Sequence, residues 1–352
     1  MGYKPIGTAL LSALFLIICV MPAYAQHGDW LLGTNGLLSA QQAPEGLLYQ
    51  NLWSYYHASG DGFIQTGPIK CGPLGKLCLG LNAKANGSLD LFVDQNILWV
   101  VTPYKLLGAN YGFLMDVPFA IAGTSGAGEL EPVLSSEHGS VTLPSVQRSS
   151  GSTKGTIADI YFEPIDLGWH LRQLDAIVAG GFFAPTGPYN SKANLNIGNG
   201  HWSGVLGIGG IAYADAERTW ALSVYSHFII YASQLGRHYT LGDQSPLEWS
   251  ASKTFKFGSS LVREATIGAV GYAQWQISNN QINFNPKNQL GGALLSRLED
   301  SRSEIYAAGP SIQVLTKFGL FDLRYYEECG AKATPSGQQL MFSVTLAGNP
   351  FR

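Results

Sequence analysis

Charge is scarce in this chain. Asp, Glu, Lys and Arg make up 13% of its residues, where a soluble domain usually carries about twice that share. The formal net charge of -3 is too mild to draw nucleic acid or an anionic surface. No run after residue 25 reaches the length of about 20 apolar residues that a membrane helix needs. Catalytic signatures are missing as well: there is no HExxH, no GxSxG and no Walker loop. Gly207-Ile208-Gly209-Gly210-Ile211-Ala212 approximates a dinucleotide glycine motif, but it lies inside a strand pattern and leads to a turn instead of a helix. These gaps point away from an enzyme and imply neither a cofactor nor a metal.

Cysteine is also sparse, with four in the chain. Cys19 falls in the N-terminal apolar run, and Ile17-Ile18 before it lacks the small residue that lipid attachment needs. Cys71 and Cys78 sit in a Gly/Pro-rich stretch, where an oxidising compartment favours a loop disulfide. With no second ligand pair nearby, a metal is the weaker reading. Cys329 is left over.

What is present begins with an export signal over residues 1–25. Lys4 supplies the positive start, Ile6 to Val20 is mostly apolar, and Ala23-Tyr24-Ala25 is a small-x-small cleavage site. Removing it takes away one Lys and no acid, which moves the charge to about -4. Aromatics reach 12% and glycines number 43. Beyond the signal, apolar and polar side chains alternate in short segments. Trp220, Leu222, Val224, Phe228 and Ile230 fall on one face, and Thr219, Ser223, Tyr225, His227 and Tyr231 on the other. Successive side chains of a strand point to opposite sides, so each such segment is a strand with one greasy and one wet face.

The alternation predicts about twelve strands, at roughly 46–58, 86–103, 109–122, 156–167, 172–185, 201–214, 218–233, 245–257, 263–278, 302–316, 320–328 and 338–351. The connectors between them alternate long and short, as the external loops and tight periplasmic turns of an up-and-down barrel do. An all-β fold follows: a single closed antiparallel transmembrane barrel over 46–352, in the cell outer membrane, with both ends periplasmic. Residues 26–45 precede it as a periplasmic segment or a plug. The chain would then meet outer-membrane lipids and the outer-membrane assembly machinery, and no nucleic acid.

If the greasy faces point outward, the lumen receives Asp90, Asp94, Asp159, Glu163, Tyr225, His227, Tyr231, Gln274, Gln276, Asp322 and Arg324. On β-segment 88–101 this assigns Leu89, Leu91, Val93, Ile97, Trp99 and Val101 to lipid. The wet set is either a polar pathway for a substrate or the polar network that fills any barrel interior. Its mixed charge predicts neither a strong cation nor a strong anion filter. Trp53, Tyr55, Tyr56, Tyr189, Trp202 and Tyr231 are stacking surfaces for an aromatic solute or members of an interface girdle.

Particular residues also carry a family pattern. Pro164-Ile165-Asp166-Leu167-Gly168-Trp169-His170 is followed by Phe182-Phe183-Ala184-Pro185-Thr186-Gly187-Pro188-Tyr189. Asn194, Asn196-Ile197-Gly198 and Gly200-His201-Trp202 come next, and later Gly309-Pro310, Arg324-Tyr325 and Gly337. This order resembles the MetA-pathway of phenol degradation family of bacterial outer-membrane proteins over about residues 86–351, most clearly from 159 to 275. The segments 59–85 and 279–301 and the Cys71/Cys78 pair lie outside the matching pattern. The resemblance implies an outer-membrane barrel that takes up small hydrophobic or aromatic compounds, without a catalytic motif to transfer.

Three functions compete. The first is a passive channel for such solutes. The second is a lipid-modifying enzyme, which needs a His–Ser couple and offers only His227 with Ser223 or Ser226. The third is a structural barrel without transport.

Overall fold

In the computed structural model of the protein, the alternating segments become strands. The structure describes residues 28–71, 77–136, 139–142, 144–191, 193, 195–236, 239–282 and 302–348, so the export signal lies outside the described residues. In chain order the strands are β1 (Gly46–Cys71), β2 (Leu77–Leu106), β3 (Ala109–Ser136), β4 (Gly139–Thr142), β5 (Val146–Ile157), β6 (Ile160–His170), β7 (Leu174–Ala184) and β8 (Ser203–Tyr213). They continue with β9 (Trp220–Tyr231), β10 (Tyr239–Thr240), β11 (Gln244–Lys256), β12 (Val262–Gln276), β13 (Gln281–Ile282), β14 (Glu304–Thr316), β15 (Leu320–Lys332) and β16 (Ser336–Gly348). No helix occurs among the described residues.

Twelve of these strands close a ring. Each pairs antiparallel with its neighbours, and β1 pairs with both β2 and β16 to seal it. The barrel is the expected closed antiparallel one of twelve strands. Closure leaves no open edge within the wall, which a backbone in hydrocarbon requires. The short connectors are tight. Leu107 and Gly108, with φ of 54° and 80°, turn β2 into β3 in two residues, and a hairpin turn with both central residues at positive φ matches the natural strand twist.

The outer strands run longer than the alternation predicts. β1 has 26 residues, whereas about 9–11 tilted residues cross a membrane. The ladder between β1 and β2 continues to Cys71 opposite Cys78, and β5 pairs with the outer half of β3 from Phe119 to Leu130. Much of the expected connectors 59–85 and 123–155 is therefore sheet. β10 and β13 pair two of the other long connectors.

Side-chain direction follows the pleat. On β9, Trp220, Leu222, Val224, Phe228 and Ile230 are exposed on the outer wall, while Ser223, Tyr225, His227 and Tyr231 are buried within. On β16, Leu340 and Leu346 point out, and Gln339, Met341 and Ser343 point in.

Residues 28–45 lie inside the barrel. Trp30, Leu32, Leu37, Ala40 and Ala43 are buried against the inner wall. Trp30 meets the rings of Tyr161 and Phe183 edge-on and lies 3.9 Å from the ring centre of His227. A segment without its own sheet must find partners for its backbone and side chains, and it takes them from the wall. Glu248 accepts from the Trp30 indole at 3.1 Å and from the Asn35 backbone at 3.0 Å. Ser223 Oγ accepts from the Ala40 backbone at 3.1 Å. Gln42 donates to the Asp166 carboxyl at 3.0 Å and to the Asn110 carbonyl at 3.1 Å. Gly36 has a φ of 59°, and a Cβ there would strike the Arg324 guanidinium.

Candidate functional site

The wet-face residues sort into two groups. Glu163, Tyr225, His227, Tyr231, Gln274, Gln276, Asp322 and Arg324 are buried on the inner wall. Asp159 is buried at its outer end, in the connector just before β6. Asp90 and Asp94 are different: they point away from the lumen. Asp94 accepts from Asn51, and Asp90 from Tyr55, on the outer face shared with exposed Trp53 and Phe92. The inner face of β2 is instead Leu89, Leu91, Val93, Gln95, Ile97 and Val101. The apolar set assigned to lipid thus lines the interior. Alternation shows that a strand has two faces, and here the greasier one faces a greasy cavity and the inner segment.

The interior polar groups mostly hold one another. Arg324 Nε lies 2.9 Å from Asp322 Oδ1, with both buried. Tyr161 donates to Glu163 at 2.6 Å, and Tyr231 to Gln244 at 2.8 Å. Towards the periplasmic end, Arg218 and Tyr213 both donate to Asp175. Among described residues the buried set contains eight carboxyl side chains, Asp116, Asp159, Glu163, Asp166, Asp175, Glu248, Asp322 and Glu328, against Arg324 as its one Lys or Arg. The expected balance of charge is therefore replaced by an acidic interior.

No His–Ser couple forms. Both ring nitrogens of His227 lack a hydrogen-bond partner among the described residues, and the ring is packed between Trp30 and Tyr225. Ser223 bonds to Ser39 and Ala40 of the inner segment, while Ser226 donates to the Pro246 carbonyl.

At the outer end of the barrel the interior opens into a cavity of about 210 Å³. Its floor is Trp30, Leu31 and Leu32. One wall is apolar, formed by Leu89, Leu91 and Val93 of β2 with Pro118, Ala120 and Ala122 of β3. The opposite side is polar, with Tyr56, Tyr272, Glu328 and Gln339. Glu328 accepts from Tyr56 at 2.8 Å, Tyr272 at 2.7 Å and the Gly337 backbone at 2.7 Å.

A loop forms a partial lid at the cavity's mouth. The connector between β7 and β8 brings Tyr189, Leu195 and Ile197 over the cavity. Two carboxyls pin it down. Asp159 accepts from the Gly187 and Asn199 backbones at 2.9 and 2.7 Å. Asp29 accepts from Asn199 and Ser203 and lies 3.3 Å from His201 Nε2, so the inner segment is tied to the lid. Burial pushes Asp159 up to about 6, with the two backbone N–H bonds partly offsetting it.

Of the aromatic candidates, Tyr189 lines the cavity, Tyr56 and Tyr231 are interior, and Trp53, Tyr55 and Trp202 are on the outer surface. Asp29, Trp30, Gln95, Asp116, Glu328 and Gln339 were not among the sequence candidates. For Asp116 and Gln339 the parity of their own strands carried the signal. For Asp29 and Trp30 nothing in the alternation could, because they lie before the first strand.

The comparisons with known proteins agree with this architecture. A family model described as "Putative MetA-pathway of phenol degradation" matches residues 79–344, about three quarters of the chain. The chain belongs to this family. Its barrel is similar to the COG4313 outer membrane channel from Pseudomonas putida F1, with a TM-score of 0.54 and 12% identity, covering 88% of this chain and 98% of that one. Pseudomonas aeruginosa OccD3 also matches, at a TM-score of 0.32 and 9% identity, over 89% of this chain and 93% of its own. No curated protein matches. The likeness to the COG4313 channel shows the fold, a closed antiparallel barrel of the kind found in outer-membrane proteins.

Proposed function

We propose that this protein is an outer-membrane channel for the passive passage of small hydrophobic or aromatic compounds, exported by the cleaved N-terminal signal. The observation that carries this reading is the outer cavity: an apolar wall inside the lumen, facing a few polar groups, above the indole of Trp30. Binding sites for small molecules have this makeup, a mostly apolar concavity with a few placed polar groups. A cavity of about 210 Å³ is below the ~300–1,000 Å³ of drug-sized sites and suits a single ring or a short chain.

Below the cavity the lumen is filled by residues 28–45, so on this reading they act as a plug. Water-filled passage is blocked, and a solute that partitions into the cavity moves on when the plug shifts. Proteoliposomes holding the protein should take up phenol faster than empty vesicles. Equal rates would sink the proposal.

A further inference from the structure

Plug and lid share one carboxyl. Residues 28–45 cross the lumen from Asp29, beside the lid, to Ala43, which packs with Leu48 and Val101 towards the periplasmic rim. The Asp29 side chain is 1% exposed. It accepts from the Asn199 amide and from the hydroxyl of Ser203, where the lid connector enters β8, and it lies 3.3 Å from His201 Nε2. A second contact joins the same two elements. Leu31 of the plug and Leu195 and Ile197 of the lid pack in one apolar cluster with Val93, Ala120 and Ala122 of the wall. The outer cavity lies between plug and lid and is lined by both.

Each element therefore completes the other. With the plug withdrawn, Asn199 and Ser203 lose a carboxyl acceptor, and Leu195 and Ile197 lose the apolar cover of Leu31. With the lid lifted, Asp29 loses two donors. Hydrogen bonds to an ionised group are the stronger class, so these losses are not slight. The wall also holds each element separately. Asp159 binds the lid through the Gly187 and Asn199 backbones, and Asp166 and the Asn110 carbonyl bind the plug at Gln42, its far end. Asp29 and Leu31 bridge the two. Contacts made only when both elements are seated couple their free energies, and such a coupling is reciprocal.

We propose that lid and plug form a single gate latched at Asp29: the lid seats only over a seated plug, and release of either opens mouth and lumen together. This rests on the channel reading and assigns its regulation. It stands against two gates that open in turn and hold a solute in an occluded cavity between them. A solute in the cavity touches Leu31 and Leu195 alike, so it acts on both elements at once.

The test uses the full mature chain in nanodiscs, with amide exchange followed at Gly187 and Asn199 of the lid after Gln42→Ala, a change at the opposite end of the plug. Faster exchange at Leu38 and Ala40, whose amides bond to Ser250 and Ser223, shows that the plug itself has loosened. Exchange in the lid should then quicken by about tenfold, the scale of a lost pair of hydrogen bonds, although no lid residue has changed. In an Asp29→Ala background, where the lid already exchanges fast, adding Gln42→Ala should change it little. The reverse direction is read in planar bilayers. Asn199→Ala with Ser203→Ala leaves the plug sequence intact and should raise the frequency of open events by about tenfold. Heat-modifiable migration on gels verifies the folded barrel. Where Gln42→Ala does not fold or does not loosen the plug, the bilayer arm decides. Lid exchange that ignores a loosened plug, or lid variants as quiet as wild type, would overturn the single gate. Phenol flux into liposomes separates the two readings. Flux without coupling leaves the channel standing and removes the gate. No flux removes the channel, while exchange in the lid still decides the coupling.

Discussion

Trp30 shows how one side chain can hold a lumen closed. Its indole donates to Glu248 at 3.1 Å and its rings pack on Tyr161, Phe183 and His227. Trp30→Ala would remove that packing and leave a Glu248 oxygen without a donor, and buried Trp→Ala changes cost about 3–5 kcal/mol. The barrel has its own ladder, so the loss should fall on the inner segment. Planar-bilayer recordings of the variant should show more frequent open events than wild type. A record as quiet as wild type would mean that Trp30 does not secure the segment.

Asp159 sets a pH dependence at the same scale. Its ordinary value is 3.8 and its value in the closed lid is about 6, so the closed state binds the proton more tightly than an open, solvated one. Stability from this group is fully present below 3.8 and is lost as pH rises through about 6. The lid should open more readily at pH 7 than at pH 5. Amide exchange at Gly187 and Asn199, corrected for its intrinsic rate, should accelerate over that interval, and Asp159→Asn should flatten the dependence. Protection that rises with pH would contradict the assignment.

Two elements carry predictions of their own. Residues 28–45 bond to β3, β6, β9 and β11, and Gly33 accepts from Tyr326 of β15. Their deletion should raise single-channel conductance severalfold, because a twelve-stranded bore lies between the packed eight-stranded and the open sixteen-stranded cases. Unchanged conductance would show that they do not plug the path. The other element is the β1–β2 hairpin. Its register sets Cys71 opposite Cys78, and directly opposed residues of antiparallel strands lie within the Cα separation that a disulfide requires. Peptide mapping without reductant should recover the two cysteines in one linked peptide, and finding both as free thiols would rule the bridge out.

At the scale of the whole molecule, the acidic interior predicts ion selectivity. Eight buried carboxyl side chains against one arginine favour cations in whatever leak the lumen allows. Reversal potentials in a KCl gradient should shift towards the potassium potential. A shift towards chloride would show that these groups do not face the conducting path.

Much of this barrel was legible in the order of residues. Period-two alternation on β9, β12 and β16 names the lipid face correctly, because each of those strands has hydrocarbon on one side and polar side chains on the other. The rhythm of connectors points to the closed ring of twelve strands, with tight turns such as Leu107-Gly108 on the rim that carries the chain ends. Tertiary structure decided the rest. On β2 the greasy residues turn inward, since the strand has apolar surroundings on both sides and its pattern cannot say which is the membrane. The course of residues 28–45 depends on partners hundreds of positions away, such as Glu248 for Trp30 and Tyr326 for Gly33. Local periodicity reports how a strand divides its two faces. Only the closed ring shows what each face meets, and so places the cavity.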